Sequence, residues 1–283
     1  MTAFDSFAVV DWSSGNDTGP TPRKDAIWAS AICGGVSCEP VYLRNREVAH
    51  AWLHDLITSE LQSGRRLIIG FDFPFGYPSG FVQHVTGTAD PFTLWAHYRA
   101  HLSDTPRANN RFALAGRLNS RFPGIGPFWF NATRDEIPDL PRKGRARHGH
   151  GMKERRVVEE HAKGAFTCWQ MGGAGAVGGQ VMTGLAALEQ LREVFPEVIS
   201  VWPYQKETKP VHFVEIWPSL IDPVVRASAD DIRDRAQVRL IARALASLPA
   251  GRLREMMEVD APEEGWILGL GYEAELQEAA CRI

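Results

Sequence analysis

The feature that most constrains this chain is the run Arg65-Arg-Leu-Ile-Ile-Gly-Phe-Asp-Phe-Pro-Phe-Gly-Tyr-Pro78. Leu67, Ile68, Ile69 and Phe71 are apolar without alternation, the pattern of a strand covered on both faces in the middle of a sheet. Asp72 ends the run, and Pro74 and Pro78 follow. Proline gives the ladder no N–H and drives the residue before it into extended backbone, so the strand stops there. A carboxylate at the end of a buried strand is costly unless it is paired, hydrogen-bonded or holding a cation. The carboxyl ends of strands are also where open α/β sheets place their ligands.

Read along its length, the chain alternates strands and helices. Residues 4–12 form a first strand ending at Asp11, and 26–33 a second, closed by Gly34-Gly35 as a hairpin turn. Residues 38–43 return as a third, and Val48, Trp52, Leu56 and Ile57 recur at helical spacing over 47–61. After the Asp72 strand the rhythm breaks. Apart from a helix over 91–102, residues 79–165 are rich in Pro, Gly and Arg with scattered aromatics. Further strands are expected at 198–202 and 211–217, and helices at 232–248 and 273–281. The expected fold class is α/β: a mixed sheet of three antiparallel strands plus parallel strands, flanked by helices. We read residues 1–283 as one domain carrying the basic, mostly irregular or helical insertion 79–165.

Composition adds only exclusions. A chain that is 44% hydrophobic and 23% charged, with net charge −3, is neither disordered nor fibrous. No stretch approaches the ~18 apolar residues of a membrane span, and the first residues carry no signal-peptide pattern. The four cysteines are irregularly spaced, as for reduced thiols in a cytoplasmic protein.

Two stretches could meet an anion. Residues 105–165 hold 13 Lys/Arg against six Asp/Glu, so the rest of the molecule is strongly acidic. Such asymmetry steers anionic ligands, with Arg142, Lys143, Arg145 and Arg147 as the candidate phosphate contacts; the alternative is a solvated loop. Gly173, Gly175 and Gly178 match G-x-G-x-x-G, but Thr-Cys-Trp-Gln-Met before them is a weak strand and no Lys-Ser/Thr follows. The glycines therefore read first as a close approach of backbone elements, and second as a phosphate contact at a helix start.

Three acids lie in apolar surroundings: Asp11 and Asp72 at strand ends, and Glu215 inside a later strand. A fourth, Asp234, falls on the apolar stripe of helix 232–248, extended back by four from Val238. Converging on one sheet edge, they would repel one another unless they share protons or bind divalent cations, and oxygen ligands select Mg²⁺ or Mn²⁺.

This layout resembles the ribonuclease H-like fold. More narrowly, it is similar to the bacterial domain-of-unknown-function 429 family of predicted nucleases. The resemblance rests on Val9-Val-Asp-Trp12, Ile69-Gly-Phe-Asp-Phe-Pro74, Gly175-Ala-Val-Gly178, Val214-Glu-Ile-Trp-Pro218, Asp231 to Leu245, and Glu264-Gly-Trp-Ile267, in that order. It implies a metal-dependent nuclease or phosphodiesterase. One ion would lie between Asp11 and Asp72, and a second would be held by Glu215 and Asp234, with nucleic acid or a nucleotide as partner. The same fold also houses Mg-nucleotide phosphotransferases and ATPases, in which residues 172–179 would touch phosphate, and scaffolds with degenerate carboxylates. Three features depart from the family pattern, the first being Trp12 and Ser13 after Asp11, where many relatives have small residues. Arg233 and Arg235 flank Asp234 and could neutralise the site in place of a metal. The insertion 79–165 reads as a substrate cover or as an element of a homodimer.

Overall fold

The computed structural model describes residues 4–206 and 208–282. The chain opens with β1 (Ser6–Asp11), β2 (Ile27–Cys33), β3 (Val36–Ser37), β4 (Val41–Leu43), α1 (Arg46–Gln62) and β5 (Leu67–Phe71). Then come α2 (Phe81–Thr86), α3 (Pro91–His101), α4 (Arg111–Asn119), α5 (Val157–His161) and α6 (Gly178–Val194). It continues through β6 (Ile199–Val201), β7 (Val211–Glu215), α7 (Asp222–Ala227), α8 (Arg233–Ser247), α9 (Ala250–Met256) and α10 (Glu273–Cys281). Among the described residues no helix is long and apolar enough to cross a membrane.

These elements fall into two compact units. The first comprises residues 1–72, 191–260 and 266–283, the second 73–190 and 261–265. The second unit is larger than the insertion expected at 79–165, because it also takes in the glycine stretch and most of α6.

The first unit is an α/β layer structure built on one mixed sheet. Its strands run in the order β3-β2-β1-β5-β7-β6, with β4 also paired to β2. β1, β2, β3 and β4 are antiparallel, whereas β1-β5-β7-β6 are mutually parallel. Every residue of β5 is buried, as its unbroken apolar run requires. Gly70 lets a neighbour lie close, since a Cβ there would come within 2.7 Å of Ile216 Cγ2. Of the expected third strand, 38–43, only Val41–Leu43 is found, as β4; β3 precedes it at Val36–Ser37, and Pro40 between the two has no N–H to give the ladder.

Helix α8 packs on β1 and β2, and α10 on α8. The apolar stripe on α8 is the reason: Val238, Ile241, Leu245 and Ala244 are all buried. Helix α1 begins at Asn45, whose side chain accepts from Val48 N at 3.0 Å, and its buried face is Ala49, Leu53 and Ile57. That face also carries a buried acid, Glu60, which accepts from Ser6 Oγ (2.5 Å) and from Arg65 Nε (2.6 Å). The Arg65 guanidinium holds Glu60 below the ordinary carboxylate range.

The second unit has an aromatic core. Tyr77, Phe81, Phe128 and Trp169 meet one another with ring centroids 4.5–5.8 Å apart, in tilted and edge-on arrangements. Its polar framework is a strap at 261–265. Glu264 accepts from the N–H groups of Ser79 (2.7 Å) and Val157 (2.6 Å), and Glu263 from Gly80 N (2.6 Å). The Glu264 carbonyl accepts from Arg156, which also forms a fully buried ion pair with Glu159 at 2.8 Å. The two glutamates thus satisfy free N–H groups at the starts of α2 and α5.

Candidate functional site

The acids converge at the carboxyl ends of β1 and β5. These strands are parallel neighbours, with Val10 opposite Phe71, so Asp11 and Asp72, one residue further, stand side by side on one face of the sheet. Their carboxyl groups are hydrogen-bonded to each other. Trp12 N donates to Asp72 Oδ1 at 2.5 Å, locking the carboxyl against the start of the loop after β1. Buried Arg46 of α1 fixes that loop, donating to the carbonyls of Ser13 and Gly15.

Helix α8 brings two more groups over the pair. Asp234 in its first turn accepts from Asp25 N at 2.7 Å. Asp25 has φ +57°, a left-handed backbone that aspartate tolerates better than most residues and that is enriched at functional sites. One turn on, buried Gln237 lies with its amide between Asp11 Oδ2 and Arg233 Nε, each 3.3 Å away, in the orientation that donates to the first and accepts from the second.

Electrostatics follow from this crowding. Burial, then the adjacent Asp72 and Asp234 carboxylates, push Asp11 well above the ordinary carboxylate range. Burial raises Asp72 to about 7 against the opposing N–H of Trp12. Asp234 is also raised, chiefly by burial, with the Asp25 N–H working against the shift. Two touching carboxyls that cannot both ionise in a desolvated place share a proton, unless a cation replaces it. Asp11 and Asp72 fit as ligands of a small divalent cation, with Asp234 nearby as a third negative charge. No group of three or more His, Cys, Asp or Glu among the described residues forms a ready metal cage. Two carboxylates are still the ordinary protein share for Mg²⁺, which takes its other ligands from water and substrate phosphate.

The structure does not bring Glu215 into this cluster. Glu215 is paired with Phe71, one residue short of Asp72, so strand alternation turns its side chain to the opposite face. Glu215 and Asp234 therefore do not form the pair expected to hold a second ion. The flanking arginines have other partners: Arg235 is bound to Asp230 (2.7 Å), and Arg233 to Asp222 (2.6 Å).

The anion contacts expected in the second unit are largely committed elsewhere. Arg142 donates to the carbonyls of Asn131, Thr133, Arg134 and Asp135 and pairs with Glu136. Arg147 binds the Pro127 carbonyl and Glu154 and lies over the Trp129 ring. Lys143 and Arg145 are exposed. Gly173 and Gly175 have positive φ, and a Cβ on either would run into the ring of Phe130 or Phe166. Gly178 N already donates to the Gln170 carbonyl at 2.9 Å, and a Cβ there would meet the Cys168 carbonyl at 2.6 Å. No strand precedes the glycines. Close packing thus accounts for all three.

Sequence reasoning missed Asp25 and Gln237. Gln237 was reachable, since it lies three residues after Asp234 and so on the same helix face. Asp25 carried no signal, because it meets the site through its backbone N–H. Comparison of the chain with protein-family models, curated proteins and solved structures returned no match.

Proposed function

We propose that this protein is a divalent-metal-dependent phosphodiesterase or nuclease with a ribonuclease H-like sheet, as its resemblance to the domain-of-unknown-function 429 family implies. The observation that supports this reading best is the Asp11–Asp72 carboxyl pair, desolvated and joined at the carboxyl ends of adjacent parallel strands. Asp11 and Asp72 are the residues that would hold Mg²⁺ or Mn²⁺. When bound, such an ion lowers the pKa of its water and neutralises charge on a phosphoryl oxygen. Trp12 N–H orients Asp72 and the Gln237 amide orients Asp11, while Asp25 N–H keeps Asp234 facing the pair. Single-stranded, duplex and hybrid substrates incubated with and without Mn²⁺ test the activity. Asp72→Asn is expected to abolish metal-stimulated cleavage with an unchanged circular dichroism spectrum. Cleavage at the wild-type rate by this variant sinks the assignment.

A second reading, a Mg-nucleotide phosphotransferase, is favoured by one feature. A cavity of about 140 Å³ beside Asp25 is lined by Arg23, Lys24 and Arg44. Arg23 is paired with Asp17, another lining residue, at 3.4 Å, which leaves Lys24 and Arg44 to suit a phosphate group. A thermal shift with ATP and Mg²⁺, together with inert oligonucleotides, would select this alternative.

A further inference from the structure

The sheet face that carries the carboxylates continues sideways into a second site. Asp11 is in register with Trp28 on β2, and Trp28 with Tyr42 on β4. Asp72, Asp11, Trp28 and Tyr42 thus form one row across the sheet, and with strands ~4.8 Å apart the row reaches about 10 Å beyond Asp11. A cavity of about 590 Å³ opens at the Trp28–Tyr42 end of this row. Its other wall is α8, which presents Arg235, Arg239 and Arg243 at intervals of four residues, a cationic ridge ~12 Å long.

The three arginines are not equivalent. Arg235 is neutralised by Asp230 and lies over the Trp28 ring, 5.8 Å from its centroid. Arg239 reaches the same Asp230 only at 3.8 Å and Ser228 Oγ at 3.4 Å. Arg243 is half-buried and has no ion-pair or hydrogen-bond partner among the described residues. Of the acids lining the cavity, Asp230 is held closely by Arg235 and only at a distance by Arg239, and the other, Glu39, acts on Arg235. Arg243 has no counter-charge and Arg239 only a distant one shared with Arg235; partly desolvated guanidinium groups of this kind favour an anion, and their planar forks match phosphate oxygens. The cavity has the size of a small-ligand pocket, large enough for a nucleotide unit and too small for a duplex.

We propose that this groove binds the backbone phosphates of a single-stranded nucleic acid, with Arg239 and Arg243 each meeting one phosphate. The groove would lead the strand along α8 toward the Asp11–Asp72 pair. Its link to cleavage rests on the phosphodiesterase reading, whereas binding can be measured without it.

The test is fluorescence anisotropy of a short fluorescein-labelled oligothymidylate. It uses the full-length Asp72→Asn protein in EDTA, so that no cleavage intervenes. On this background Arg239→Ala/Arg243→Ala is expected to weaken binding at least about tenfold at low salt. It should also flatten the dependence of log K on log salt by about 1.4, from ~0.7 per phosphate contact on a single strand. Arg239→Lys/Arg243→Lys keeps the charges and should retain most of the slope, and Arg107→Ala, exposed in the second unit, should change neither quantity. Matching melting temperatures establish that the variants are folded. Unchanged affinity and slope in the double alanine variant overturns the proposal. So does failure of the parent protein to bind the oligonucleotide, or equal affinity for thymidine monophosphate, which would assign the groove to a free nucleotide. Tight oligonucleotide binding without metal-stimulated cleavage by the wild type would instead sink the phosphodiesterase reading and leave the groove standing.

Discussion

At the scale of single residues, the site depends on contacts that tolerate little change in volume. Gly70 sits two residues before Asp72 with Ile216 pressed against its Cα. A methyl group there must displace Ile216 or bend β5, and overpacking of this kind costs about 1–3 kcal/mol. Gly70→Ala is therefore expected to lower the melting temperature by about 2–12 °C, at ~2–4 °C per kcal/mol for a domain of this size. If the protein is the phosphodiesterase proposed, the variant should also lose metal-stimulated cleavage by more than the change in folded fraction explains, since β5 leads into Asp72. Differential scanning fluorimetry and the nuclease assay together check this, and a variant as stable and active as wild type would show that β5 has slack. Glu215 illustrates the limit of reading residues singly. Its place in an apolar run was legible, but which sheet face it occupies depends on how β7 is registered against β5. One residue of offset reverses that answer.

At the scale of elements, periodic segments were legible and contact-built ones were not. The helix expected at 232–248, found as Arg233–Ser247, was readable because its apolar stripe is long and consistent, and the last helix is found at the expected 273–281, in a stretch free of glycine and proline. Helices α2 and α4 were not, since six and nine residues between glycines, prolines and arginines give too short a period to detect. The excess of positive charge over 105–165 looked like a free surface. In the fold, Arg142, Arg147, Arg155 and Arg156 bind carbonyls or acids of their own unit, which only the tertiary structure could reveal. Arg156 is the most committed of them. Arg156→Ala would leave Glu159 buried without its partner, a change that costs about 3–5 kcal/mol when a buried pair is broken from one side. Urea unfolding should show a midpoint shifted down accordingly. Arg156→Lys is expected to recover only part of the loss, because one ammonium cannot serve both Glu159 and the Glu264 carbonyl as the guanidinium fork does. Full stability of Arg156→Ala would mean that the strap holds without it.

For the whole molecule, the carboxyl pair ties stability to pH. In the unfolded chain Asp72 ionises near 3.8, and in the folded protein only at about 7, with Asp11 raised as well. Across that window the folded state holds more protons than the unfolded one, so this contribution to stability falls as pH rises. Melting temperatures of wild type and Asp72→Asn, measured in EDTA from pH 4 to 8, should therefore diverge in favour of the variant as pH increases. Millimolar Mg²⁺ should narrow the gap at pH 8 by stabilising the ionised pair of the wild type. A difference flat in pH, or one that moves in the opposite direction, would remove the pair from the account. The strap at 261–265 has a separate consequence for synthesis. Residues 73–190 leave the ribosome well before the glutamates that satisfy the starts of α2 and α5. At ~5–20 residues per second, the nascent unit waits seconds for its own last segment. The first unit, which needs β7 and α8, waits as well. Neither unit has a head start, and the chain completes both at nearly the same moment of its translation.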